Sequence, residues 1–550
     1  MRCLHSITRK RSRNELANPH SMHITQLLIG MTLLLAVGTA AAEPPVTATF
    51  ARVTISGNNA ITSRLLDAIA VEYAGRAITD EDLQTLRKRL DDVYAAAGFR
   101  TSRAMVPNQD LDSGTLRIEI IENGIERIDI VGAQRVSAGY LRKRLSAGLG
   151  TPLNVDRLND NLRLLMLDQV VKNVRAEFKP GSTPGRSILS VTVEEGAQFN
   201  TGVRLANDRS PTAGEVRAEV GFGVRDVLGL GDQLDLVLGK SAGLRDFDLR
   251  FRSPMTSFGT ELAGRYSRFS SQLVEEQFEV LDAKTRSRGA ELGVTQALWR
   301  RAGRQVGASL RFTSRQSESF LRGEPHTFSP GANNGRLDVK AARLGLSWLA
   351  RTRSDVISLR YTWSIGLRGL GGTEQREPRP DLPDSSFHTS LLQAQWLHTI
   401  GPRAGSFFLR ADWQDAGEPL LSLEKFAIGG YGSVRGYRRS RVVKDNGWSA
   451  SAEYRLPVIK LAVPGISLRE ADGQLSLVAF IDAGRAWNEH DAAGVARTLL
   501  ATGPGIRWDA SRDVRAEFYW GAARRQLPDD PANDIQDRGI HFALSARYGF

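Results

Sequence analysis

The chain has 550 residues, of which 41% are apolar and 24% charged, with 53 glycines and a formal net charge of +12. That length exceeds one ordinary domain, and the composition excludes a disordered or fibrous chain in favour of a folded, turn-rich protein of several domains. A single cysteine, Cys3, excludes a disulfide framework.

The first 42 residues read as a targeting segment. Arg2, Arg9, Lys10, Arg11 and Arg13 precede the apolar run Leu27 to Val37 and the small residues Thr39 to Ala42, which is the order of a secretory signal peptide. Met22 is an alternative start. Removing residues 1–42 takes away Cys3 and lowers the charge to +8. The remaining basic residues are spread among alternating segments rather than clustered with aromatics, which argues against nucleic acid and for a polar lumen. The apolar run is about half of the ~20 residues a spanning helix needs, and nothing later supplies one, so a membrane could be crossed only by strands.

After a short segment, residues 43–48, an internal repeat begins. Ala51-Arg-Val-Thr-Ile-Ser-Gly57 recurs 75 positions later as Glu126-Arg-Ile-Asp-Ile-Val-Gly132. The same offset pairs Leu66 with Leu141, the N-cap candidates Thr79 with Asn154, Leu83 with Leu158 and Leu90 with Leu165. In the first copy Asp80, Glu81 and Asp82 suit the positive end of a helix dipole, and Leu83, Leu86, Leu90, Val93 and Ala97 make one apolar face before Gly98. Strands over Phe99 to Val106 and Thr115 to Glu122 complete it. Each copy, 49–122 and 123–196, thus predicts strand, helix, helix, strand, strand, a two-layer α+β module. Such tandem modules resemble POTRA domains, whose exposed sheet edge and helical groove can take up an extended peptide by strand addition.

From residue 197 to 550 helical periodicity gives way to short alternating runs separated by Gly, Asp, Asn, Ser and Pro. Val216, Ala218, Val220, Phe222 and Val224 form one such run, and Leu475, Leu477, Ala479, Ile481 and Ala483 another. The chain ends on Ile540, Phe542, Leu544, Ala546, Tyr548 and Phe550, with polar residues between, as a closing strand of a membrane barrel reads. At roughly 22 residues per strand and connection this region holds about 16 antiparallel strands. Two polar insertions, Arg322 to Arg336 and Gly371 to Ser386, predict longer loops on the extracellular side.

One segment carries chemistry. Gly429-Gly-Tyr-Gly-Ser-Val434-Arg435-Gly436-Tyr437 places four glycines around an arginine, a loop able to bend inward. Its glycines are not spaced as a dinucleotide loop, and Ser433 is not in a nucleophile elbow. In Gln474 to Trp487 the outward set leaves Phe480, Asp482 and Gly484 facing the lumen, so Arg435 and Asp482 can meet as a bidentate pair. His326, His388, His398, His490 and His541 show neither metal spacing nor a nucleophile partner, so no enzyme, metal or cofactor is expected.

Val434-Arg-Gly-Tyr437 with Phe480-Ile-Asp-Ala-Gly484 resembles the loop and wall motifs of the BamA/TpsB superfamily. Pro107-Asn-Gln-Asp-Leu111 with Ser113-Gly114, and Gly181-Ser-Thr-Pro-Gly-Arg-Ser187, resemble its two-partner-secretion branch, the ShlB/FhaC/HecB haemolysin secretion and activation proteins. The resemblance implies a Gram-negative outer-membrane pore with periplasmic POTRA domains that passes an unfolded partner exoprotein, of TpsA type, to the cell surface. It implies an Arg435–Asp482 salt bridge, a turn at Gly436, and Tyr437 and Phe480 packed beside it. Outer-membrane lipid and the barrel-assembly machinery, which would read Phe542, Leu544, Tyr548 and Phe550, are the other implied partners, with no nucleic acid. The alternative within the superfamily is an outer-membrane assembly or insertion factor. Relatives of this type carry an N-terminal plug helix; with only Glu43 to Ala48 before the first strand, an unplugged pore with measurable conductance is expected.

Overall fold

The computed structural model describes residues 48–168, 170–375, 382–488, 497–527 and 534–550. The targeting segment, most of the short segment after it, and His490 lie outside the described residues.

Two modules of one design come first. The first contains β1 (Arg52–Ser56), α1 (Ser63–Val71), α2 (Asp80–Ala96), β2 (Arg103–Met105) and β3 (Thr115–Ile121). The second contains β4 (Gly124–Val131), α3 (Ala138–Ser146), α4 (Val155–Met166), β5 (Val171–Pro180) and β6 (Arg186–Glu195). In each, the last strand is central, parallel to the first and antiparallel to the middle one. The helices cover one face of the sheet, burying Leu66, Leu86, Leu90, Tyr94 and Ile118 in one module and Leu141, Leu145, Leu158, Leu165 and Val191 in the other. Thr79 and Asp82 form a capping box, and Asn154 caps α4 through Arg157 N–H at 2.9 Å. The amide of Asn154 also donates to Ala97 O at 3.2 Å, tying the modules together. Gly57 and Gly132, at φ +80° and +86°, are equivalent close approaches; a Cβ there would lie 2.4 Å from Ile120 O and 2.6 Å from Val193 O.

Two local expectations fail. Ala97 is the exposed C-cap of α2, and Tyr94 takes its place in the core. The strand expected from Phe99 begins only at Arg103, because Ser102 N–H bonds Phe99 O and turns the chain before it can pair.

The rest is a closed antiparallel barrel. Its strands are β7 (Phe199–Ala206), β8 (Arg217–Arg225), β9 (Gln233–Lys240), β10 (Leu244–Pro254), β11 (Thr260–Gln272), β12 (Ala283–Arg301), β13 (Arg304–Leu321) and β14 (Arg336–Arg351). They continue as β15 (Asp355–Gly366), β16 (His388–Gly401) and β17 (Gly405–Ala416). After a hairpin of β18 (Phe426–Ile428) and β19 (Val442–Lys444) come β20 (Asn446–Lys460), β21 (Gln474–Trp487), β22 (Arg497–Asp509), β23 (Val514–Trp520) and β24 (Ile540–Gly549). Leaving out the hairpin, sixteen long strands close where β24 pairs β7 from Ala543↔Ala206 to Gly549↔Asn200. Alternation sorts the faces: Phe222, Leu292, Phe312, Leu344 and Leu544 stand exposed outside, while Arg343, Asp412, Glu453, Asp482 and His541 are buried inside. Among the described residues no helix is long and apolar enough to cross a membrane.

Counting turns from the modules puts Arg322 to Arg336 and the described residues of the second polar insertion, 371–375 and 382–386, at the far end of the barrel, on the same side as the connection 417–445 that carries β18 and β19. Ser137 N–H of the second module bonds Gly229 O in the β8–β9 turn at 3.0 Å, so this module rests on the opposite rim.

Candidate functional site: the inward loop and its wall

The connection 417–445 folds back into the barrel as a two-stranded hairpin with a glycine-rich tip. Gly429, Gly430 and Gly436 have φ of +112°, +87° and +87°, values that favour glycine. At Gly436 space forbids a side chain too, since a Cβ would lie 2.7 Å from Gly521 O. Gly484 is open for a different reason: a Cβ would meet Val434 at 3.2 Å and Ile428 at 3.4 Å, so the bare wall lets the loop's apolar side dock. Val434, Tyr437, Ile428 and Val442 pack there against Ala486, Leu499 and Ala501.

The arginine at the tip is almost completely enclosed. Arg435 Nε and Nη2 donate to the two oxygens of Asp482, each at 2.7 Å, and its backbone N–H adds a third bond at 3.0 Å. Its Nη1 donates to Glu453 Oε1 at 2.6 Å and Nη2 to Ser451 Oγ at 3.1 Å. The guanidinium lies 3.7 Å from the centroid of Phe480 and 4.7 Å from that of Tyr519. Asp482 has no solvent exposure. Two carboxylates around one guanidinium leave an uneven charge, which Arg455 offsets by holding Glu453 Oε2 at 2.7 Å. This geometry needs the planar five-donor fork of arginine, which lysine lacks.

Further anchors hold the same loop. Tyr437 Oη lies 2.7 Å from Arg525 O and 3.0 Å from Leu500 O. Gly436 N–H donates to His541 Nε2 at 3.0 Å. Arg438 bonds Asp537 at 2.6 Å and Asp534 at 2.5 Å in the β23–β24 loop, and Glu275 at 3.0 Å in the β11–β12 loop, so it reaches across the mouth. Tyr431 Oη bonds Glu517 on β23. On the stem, Glu424 takes two bonds from Arg343 Nη2, at 2.7 and 2.8 Å, while Leu420 and Leu421 pack with Leu337, Val339 and Phe387.

Every loop and wall residue marked in the sequence therefore converges at one place, except that Phe542, Leu544, Tyr548 and Phe550 stand apart on the outer face of β24. There Phe550 stacks on Phe199 across the closing seam at 5.7 Å. The alternation in β20 that puts Ser449, Ser451 and Glu453 inside could have found Glu453. Nothing local in the sequence signals His541, the Arg438 acids or the Glu424–Arg343 pair, because each joins elements far apart in the chain.

A closed, outward-apolar barrel with an arginine-anchored loop in its lumen and two α+β modules on one rim has the architecture of an outer-membrane β-barrel with periplasmic modules. The model of the haemolysin secretion/activation protein family ShlB/FhaC/HecB matches residues 185–508, and that of the ShlB-type POTRA domain matches residues 49–123. The chain belongs to the ShlB/FhaC/HecB family, the transporters of two-partner secretion. The outer membrane transporter CdiB of Dickeya dadantii is 22% identical over 469 residues, covering 80% of this chain and 77% of the relative. The heme/hemopexin transporter protein HuxB of Haemophilus influenzae is 20% identical over 421 residues, covering 74% and 72%. Among solved structures, CdiB from Escherichia coli superposes with a TM-score of 0.70 at 20% identity, covering 93% of this chain and 92% of that one. BamA from Haemophilus ducreyi lacking POTRA domains 1–3 gives 0.55 at 13% identity, covering 92% and 100%.

Proposed function

We propose that the two modules capture an unfolded, secreted TpsA-like exoprotein in the periplasm and that the barrel passes it to the cell surface without nucleotide or other cofactor, no residue acting as a catalyst. The observation that carries this reading is the lumen: beside a small apolar dock, the inward loop is anchored at its tip and stem by hydrogen-bonded charges that water can re-solvate, so it can leave without unfolding the wall. Strand β5 supports the capture step, being an edge strand with Phe178 exposed and its second half open to solvent. The Arg435–Asp482 pair would set the loop's resting position, with Gly436 and Gly484 giving the backbone clearance. The exposed outer face suits lipid, and the outward aromatic end of β24 suits recognition by the barrel-assembly machinery.

The test is secretion of a large repeat protein encoded beside this chain, measured in medium and on the cell surface. Loss on deleting the chain, and again on deleting residues 49–196 alone, is expected. Unchanged secretion together with a fall in other outer-membrane barrels would favour an assembly factor.

A further inference from the structure

His541 is an odd choice for its position. It lies on the closing strand β24, beside Tyr519 of β23, and has no solvent exposure. Its Nε2 accepts the Gly436 N–H, so the ring is neutral and carries its proton on Nδ1. That Nδ1 has no hydrogen-bond partner among the described residues, an arrangement that is costly in a buried site. A glutamine amide could accept the same bond. What imidazole adds is that the acceptor disappears on protonation near neutral pH.

The charged and titratable groups on the elements around the ring include Arg435, Tyr437, Tyr431 and Arg438 on the loop, Glu453 and Arg455 on β20, Asp482 on β21, Arg515, Glu517 and Tyr519 on β23, and Arg204 with Asp208 on and after β7. Arg435 is occupied by Asp482 and Glu453, and Asp208 by Arg204 at 2.6 Å, which leaves no carboxylate bonded to the ring.

We propose that His541 is a positioning residue that couples the loop to protons: neutral it accepts Gly436 and seats the tip, and protonated, once the loop has left and the lumen has wetted it, it blocks the return of Gly436 N–H and Arg435. The inference rests on the loop moving, as proposed above. Acid then holds the pore in its loop-withdrawn state. An exposed imidazole titrates near ~6.5, so the ratio of withdrawn to seated loop rises about tenfold between about pH 7.5 and about pH 5.5.

The experiment is conductance of the purified full-length protein in planar bilayers at both pH values, with folding checked by heat-dependent gel migration. Wild type is expected to show the tenfold rise in open fraction. His541→Gln, which keeps an acceptor but not the proton, is expected to seat the loop and lose the rise; His541→Asn serves if the glutamine variant does not fold. A wild-type open fraction indifferent to pH, or the same rise in His541→Gln, overturns the proposal. A disulfide between Val434→Cys and Gly484→Cys separates the two failures. If it abolishes openings while the pH response is missing, the loop moves and His541 is not its sensor; if it changes neither openings nor secretion, the moving loop itself is wrong.

Discussion

Replacing Arg435 by alanine tests the central anchor, and its magnitude can be worked from the partners left behind. In the seated loop Asp482 would be buried with one remaining bond, from the backbone N–H of residue 435, while Glu453 would keep Arg455. The uncompensated charge is thus mainly Asp482, and the cost falls at the low end of the ~3–5 kcal/mol typical for removing one member of a buried pair. About 3 kcal/mol shifts the balance of withdrawn over seated loop about a hundredfold. Arg435→Lys keeps a charge but cannot serve Asp482, Glu453 and Ser451 together, so about tenfold is expected. The readout is open fraction in planar bilayers alongside secretion of the partner. If Arg435→Ala stays within about twofold of wild type in both, the anchoring argument fails. Exchanging the charges, Arg435→Asp with Asp482→Arg, is not expected to rescue, because an aspartate is much shorter than the arginine it replaces and cannot reach the wall, while Glu453 loses its bond from position 435. The rescuing pair is Arg435→Ala with Asp482→Asn, which removes the stranded charge and should open the pore less than Arg435→Ala alone.

Gly436→Ala should unseat the tip as strongly as losing a charge, since a left-handed φ of +87° and a Cβ 2.7 Å from Gly521 O are both unfavourable; bilayer conductance reads it. Glu424→Gln should raise the open fraction independently of Arg435→Ala, because Arg343 and Asp482 hold separate parts of the loop, so the double variant should show roughly the product of the two effects. In the second module burial pushes the Glu195 carboxyl up, but Arg135 and the N–H groups of Val136, Arg135 and Gln134 outweigh it and hold it at about 2. That lies below an unfolded value near ~4.3, so its stabilisation is full above that value and is lost as pH falls towards about 2. Glu195→Gln should lower the urea midpoint of this module at neutral pH, followed by limited proteolysis, and the gap from wild type should close in acid.

How much of this was legible in the chain depended on the range of the interaction concerned. The 75-residue offset pairing Leu66 with Leu141 and Thr79 with Asn154 is visible because helix caps and faces are local patterns, and the folded modules differ from it only at their turns. The barrel follows from period-two alternation repeated over many strands, with Arg, Gln, Ser and Gly at inward positions where a sandwich or propeller would need bulkier apolar residues. Arg435 and Asp482 could be matched because a glycine-rich loop and an inward aspartate each stand out in their own segments. Arg438 does not stand out: its partners Glu275, Asp534 and Asp537 lie on loops whose neighbourhood exists only after the barrel has closed. His541 is hidden for the same reason, being one polar residue at an inward position of an otherwise regular strand.

The anchors share a chemistry that bears on what the loop is for. An apolar plug would hold the lumen more cheaply, since Arg435, Asp482, Glu453, Arg343 and Glu424 must all give up water to sit where they do, and such networks barely exceed their desolvation cost. Their geometry is nevertheless specific, so the loop has one resting place. When it withdraws into a wet lumen, each charge recovers its hydration and the gap between the two states narrows to a few kcal/mol. A passing polypeptide can supply that from its own contacts. A wholly apolar anchor would expose a larger greasy wall than the Ala486, Leu499 and Ala501 patch that withdrawal already uncovers, and an unfolded substrate would stick to it. Replacing Asp482 and Arg435 together by leucine should therefore leave the barrel folded and its resting conductance low, yet slow secretion; unimpaired export by that variant would mean that the charged anchor is not what makes the loop releasable.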